Sequence, residues 1–159
     1  MIRAVTAATV AVCLAGVTVP VQAAPGPGEG SAQAPQARGR IIINSVTYDP
    51  SGSDTGRNAH VNREVVKITN NTNQRRSLTR WTLRDEGSIH VYRFPRTRLK
   101  PGRTVTVHTG KGRDRGLQQY WGQGFYVWNN DGDKATLRSR GGRVIDTCSW
   151  GDGGGRTGC

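Results

Sequence analysis

From Arg40 onward the chain is a succession of short β-branched and aromatic runs, cut apart by glycine, asparagine and proline clusters. No window sustains an apolar stripe at the i, i+3, i+4, i+7 spacing of a helix, so the folded part is restricted to β-structure. The runs are Ile41-Ile42-Ile43 with Val46, Val65 to Thr69, Trp81-Thr82-Leu83, Ile89 to Phe94, Thr104 to His108, Phe125 to Trp128, Lys134 to Leu137, and Val144 to Thr147, which predicts about eight strands. The 22 glycines and single methionine among 159 residues agree with a turn-rich fold and disfavour a helical bundle. That length suits one domain, and a mean hydropathy of -0.59 excludes a multi-span membrane protein.

Alternation within the runs predicts which side chains face the core: Val66 with Ile68, Trp81 with Leu83, Tyr92 with Phe94, Val105 with Val107, and Ala135 with Leu137. Lys67, Thr82, Arg84, Arg93, Thr104, Thr106, Thr136 and Arg138 then point to water. The turns have their own chemistry. Asn70 to Asn73 tolerates left-handed backbone, Lys100-Pro101-Gly102-Arg103 matches a type II turn, and Gly141-Gly142 suits a tight hairpin. Antiparallel strands with one dry face pack as two sheets over a shared core, so a sandwich is expected first and a barrel second.

Residues 1–23 have the form of a cleavable secretory signal: Arg3, an apolar stretch from Ala4 to Val19, and a small-residue exit at Val21-Gln22-Ala23. The stretch is diluted by three threonines and is too short for a span, so no transmembrane segment is expected in the mature chain. Residues 24–38 carry no apolar side chain larger than alanine or proline and are expected to be a flexible leader. Removal of Cys13 with the signal leaves Cys148 and Cys159, an even count that outside the cell predicts a disulfide pinning a glycine-rich C-terminal loop over 148–159. A metal pair is disfavoured because His60, His90 and His108 all lie far from these thiols in sequence.

The order of the runs carries a resemblance. Glu64 to Asn70, Leu78 to Asp85, Tyr92 to Pro95, and Leu99-Lys100-Pro101-Gly102 leading into Val105 to Gly110 together resemble the lamin tail domain. The later stretch from Val127 to Arg138 is similar to the bacterial secreted branch of that family. The likeness covers residues 39–147 and implies an immunoglobulin-like antiparallel β-sandwich that acts as a non-enzymatic interaction module. Filament-forming heptads are not found ahead of it, which points away from a nuclear lamin and towards an exported form, secreted, extracellular or associated with the cell wall.

Catalysis requires titratable groups brought together, and the sequence offers no such set. His90 and His108 sit in predicted strands, His108 on the wet face. Asp85-Glu86 and Asp131-Gly132-Asp133 are explained by turns. The best acidic collection, Asp49, Asp54 and Glu64, presents oxygens suited to calcium but lacks the spacing of a helix-loop-helix calcium loop, so no cofactor is expected. A metal-dependent nuclease or other hydrolase is the least favoured class.

Binding is favoured over catalysis. The chain carries 23 lysines and arginines against 11 acids, and 19 of those cations are arginine, whose planar fork suits phosphate and carboxylate. From Arg38 onward the charge is +12, so it belongs to the folded part and not to the leader. Arg93, Arg96, Arg98, Lys100 and Arg103 fall within eleven residues and form the leading candidate surface for an anionic polymer such as DNA, RNA, teichoic acid or acidic polysaccharide. Further groups are Arg75, Arg76, Arg80 and Arg84, then Lys111, Arg113 and Arg115. Most of the aromatic cluster that ends at Trp128 is expected in the core, with Tyr120 or Trp121 as its exposed member, able to stack on a sugar or a base. The alternative partner is a protein of the cell envelope; the sequence leaves the oligomeric state open.

Overall fold

The computed structural model describes residues 39–159; the expected signal segment and leader lie outside the described residues. Eleven strands and one short helix follow in order: β1 (Ile41–Thr47), α1 (Asn58–Val61), β2 (Val65–Asn70), β3 (Arg76–Ser77), β4 (Thr82–Arg84), β5 (Val91–Arg93), β6 (Arg98–Leu99), β7 (Thr104–His108), β8 (Gln118–Tyr120), β9 (Gly132–Arg138), β10 (Val144–Gly151) and β11 (Arg156–Gly158). One sheet has the order β11-β1-β2-β7-β8 and the other β10-β9-β4-β5, with β3 and β6 forming a small ribbon. All pairs are antiparallel except β7 with β8. The expected immunoglobulin-like antiparallel β-sandwich is what the chain forms.

The core follows from alternation. Ile41, Ile43, Val66, Ile68, Val105 and Val107 from one sheet join Leu83, Tyr92, Ala135 and Leu137 from the other in one buried cluster. Ile43 and Val46 both reach it although they differ in parity, because a bulge between Ile43 and Ser45 shifts the register of β1 against β2. Two threonines depart from the expected pattern. Thr82 and Thr136 stand on the outward face of the second sheet, yet are only 6% and 7% exposed. Thr82 lies opposite both Arg93 and Arg138, and Thr136 opposite Arg84, so long arginine stems cover them. Trp81 is only half-buried, at the rim of the core.

Three stretches differ from expectation. Phe125 to Trp128 forms no strand, because the Val127 and Trp128 amides donate to the Glu64 carboxylate (3.1 and 3.3 Å) and not to a neighbouring strand. The Asn70 turn does not use left-handed asparagine. The buried Asn70 side chain builds it, donating to the Gln74 and Leu99 carbonyls and accepting from the Thr72 amide and hydroxyl.

The third is the segment 148–159, expected as a glycine-rich loop, which instead continues β10 and contributes β11. Gly155, at φ +78°, brings the chain back so that its carbonyl accepts the Tyr48 and Asp49 amides. The Cys148–Cys159 disulfide is present, with Cα atoms 5.6 Å apart. Cys148 belongs to the second sheet, whereas the Cys159 amide donates to Asn44 of β1 in the first, so the bond joins the two sheets. Among the described residues no helix is long and apolar enough to cross a membrane.

Candidate functional site

The basic surface is built by strands too short for alternation to reveal. β6 pairs with β3 and buries Leu99, which turns Arg98 outward. The Lys100 to Arg103 turn follows at once, with Gly102 at φ +69° and the Arg103 amide donating to the Lys100 carbonyl, as a type II turn requires. Arg98, Lys100 and Arg103 thereby line one open depression of about 440 Å³, floored by Leu117. Of the five expected residues these three converge. Arg93 stands instead on the outward face of the second sheet in line with Arg138, and Arg96 is exposed in the segment before β6.

The surface is poorly neutralised. Of the 21 lysines and arginines at positions 39–159, only Arg40 (3.5 Å from Asp146) and Lys134 (2.8 Å from Glu86) pair with a carboxylate among the described residues. The group at Arg113 and Arg115 lines a further depression that also contains Asp114, whose carboxylate is occupied by the Tyr120 amide at 2.9 Å.

The aromatic expectation fares differently. Tyr120 lies in β8 and stacks on His108 with ring centres 4.8 Å apart, while the backbone at Gly112 passes close over its ring. Trp121 is half-buried against the core, 5.8 Å from both Tyr92 and Trp128. Both rings are therefore engaged with the protein itself. The exposed aromatic is Phe125, at 61%, resting on Tyr126.

The histidines and carboxylates are likewise engaged in structure. His108 joins the Asn62 carbonyl to Gln118 (2.8 and 2.9 Å), and His90 meets Asp85 at 2.9 Å across a turn. Asp133 accepts three backbone amides, from Glu86, Asn129 and Lys134. Of the calcium candidates, Asp54 faces His60 at 3.9 Å, and Glu64 is buried on the Val127 and Trp128 amides. No cluster of three or more histidine, cysteine, aspartate or glutamate side chains suited to a metal ion occurs among the described residues.

A family model, the Lamin Tail Domain, matches residues 34–152. The chain belongs to the lamin tail domain family. Lamin tail domains are immunoglobulin-like and in general serve as binding or structural modules. No curated protein matches the chain significantly.

In this lamin tail domain, sequence reasoning missed one set of cationic residues. Arg40, Arg76 and Arg143 surround a second depression of about 260 Å³ that also includes Ile41, Trp81 and Ile145. They are spread over a hundred residues of sequence and meet only where β1, β3 and the β9–β10 hairpin come together. A local charge count carries no signal of that convergence. Glu64, a metal-type oxygen donor by residue type, has a buried structural role instead, and its polar and charged neighbours Asn62 and Arg63 give no sequence signal of it. Burial pushes its carboxyl up to about 8, opposed by the Val127 amide, the Thr109 hydroxyl and the Trp128 amide and assisted by Asp54. The Thr109 hydroxyl oxygen faces it without a hydrogen bond of good geometry.

Proposed function

We propose that the chain is an exported, non-catalytic binding module that grips anionic polymers, nucleic acid, teichoic acid or acidic polysaccharide, through its arginine-rich surface. The observation that carries this reading is the convergence of Arg98, Lys100 and Arg103 on one open depression whose lining includes no carboxylate. Guanidinium and ammonium groups held there release counterions from a polyanion, the main source of affinity in such complexes. Phosphate and carboxylate also match the planar arginine fork. The disulfide supports an oxidising location, outside the cytoplasm or in the cell wall.

A second reading, contact with an envelope protein, draws on one feature. Ile89 and Val91 are 82% and 38% exposed beside β5, which ends its sheet among the described residues. The test that separates the two is binding to labelled DNA and to heparin over a salt series. Affinity is expected to fall linearly on logarithmic axes. Reversing Arg98, Lys100 and Arg103 to glutamate should lower the slope by about one for each cation that no longer meets a phosphate. A response flat in salt would overturn the polyanion reading, and capture of a single partner that survives moderate salt would favour the second.

A further inference from the structure

The second depression differs in kind from the first. Arg98, Lys100 and Arg103 lie over a floor with one apolar side chain, whereas the groove at the other position combines three guanidinium groups with an apolar wall of Trp81, Ile41 and Ile145. Its volume of about 260 Å³ is below the roughly 300–1,000 Å³ of pockets for drug-sized ligands, so it suits one unit of a polymer. Arg76 is steadied by its Nε donating to the Thr72 hydroxyl at 3.4 Å. Arg40 is shared with Asp146, and Arg143 pairs with no carboxylate among the described residues.

Trp81 is held at this groove under backbone strain. Arg80, immediately before it, adopts φ +66°, a left-handed conformation disfavoured for a non-glycine residue. Three backbone hydrogen bonds maintain it: Arg80 to Phe94, Phe94 to Trp81, and Trp81 to Leu78, at 2.9, 3.0 and 2.8 Å. Leu83, two residues on, is wholly buried, while Trp81 stays half-buried and lines the groove.

Building on the polyanion reading, we propose that the groove is a nucleotide subsite: an unpaired base of single-stranded nucleic acid packs against the partly exposed Trp81 and Ile145, and its phosphate lies on Arg76 and Arg143. Sugar rings of teichoic acids and acidic polysaccharides are puckered and cover a flat indole less completely than a planar base does. Duplex DNA keeps its base faces stacked inside. Single strands present both phosphate and an open base face, and stacking of a base on an aromatic side chain contributes about 1–3 kcal/mol, or roughly 5- to 150-fold in affinity.

The test compares a fluorescent oligothymidylate with an abasic oligonucleotide of equal length and charge, measured by anisotropy on the intact protein. The base-bearing strand is expected to bind about tenfold more tightly. Trp81→Ala should erase that preference and leave abasic binding unchanged, while Arg143→Glu should weaken both. Because Trp81 also touches the core, a measurement without substitution accompanies it: photocrosslinking of a 5-iododeoxyuridine strand to the unmodified protein, with the adduct expected within residues 81–84. Equal binding of the two strands, or an adduct at Phe125 or Tyr120, would overturn the subsite while leaving polyanion binding intact. If neither strand binds, both readings fall.

Discussion

The buried carboxyl of Glu64 accepts the backbone amide of Trp128 at 3.3 Å, across 64 residues of chain. With the Val127 amide at 3.1 Å it replaces the ladder that Phe125 to Trp128 would otherwise need, and so holds a strand-like sequence as a loop.

That pairing makes stability depend on pH. Folded Glu64 keeps its proton up to about pH 8, whereas the unfolded chain releases it near 4.5. The unfolded state is therefore favoured progressively as pH rises between those values. The contribution is fully present below about 4.5, is lost through the window and is flat above it. Each unit is worth about 1.4 kcal/mol, so the urea midpoint should fall measurably between pH 5 and 8. Glu64→Gln should show a much shallower slope over the same range. An unchanged slope would remove Glu64 as its source.

The Cys148–Cys159 bond closes a short loop and joins the two sheets. Replacing both cysteines with serine should cost about 3 kcal/mol in denaturant unfolding. Hydrogen exchange should accelerate first at Arg156–Gly158, the strand at the edge of its sheet among the described residues. Uniform acceleration over the whole sheet would argue that β11 is not a separable element.

Asn70 is fully buried and makes four hydrogen bonds that organise its own turn and hold Leu99 of β6. Asn70→Ala removes the side-chain partner of the Leu99 carbonyl and of the Thr72 amide, while the Gln74 carbonyl keeps the Thr72 hydroxyl at 2.8 Å, at a cost of about 2–4 kcal/mol in thermal or urea unfolding. It should also loosen β6 and the Arg98 side of the basic depression, which polyanion binding measured below the unfolding transition would report.

Gly155 combines φ +78° with a position where a β-carbon would fall on the Asp49 carbonyl. Gly155→Ala is expected to destabilise by about 2 kcal/mol or more, from left-handed strain and overpacking together. Gly141→Ala, in open space within the β9–β10 hairpin, should change the midpoint little and serves as the control.

Alternation made most of the sandwich legible. Val66, Ile68, Tyr92, Phe94, Val105, Val107, Ala135 and Leu137 are all buried where parity puts them, because a two-residue period is a local property of the chain. The short strands β3, β6, β8 and β11 were invisible, since two or three residues do not establish a period and their pairing comes from distant partners. The candidate site shows the same division. Arg98, Lys100 and Arg103 could be grouped because they are neighbours in sequence, whereas Tyr120 and Trp121, one of which is expected to be exposed, are both engaged, by His108, Tyr92 and Trp128.

The sequence by itself determined the β class, the family, the cysteine pair and the charge of the folded part, each of which depends on residue type and local order. Only the tertiary structure decided which cations share a surface, which aromatics remain open, and that Glu64 is a buried brace for the Val127–Trp128 loop. Those depend on which strands lie side by side, and the packing of two sheets brings Arg40, Arg76 and Arg143 together from three distant parts of the chain.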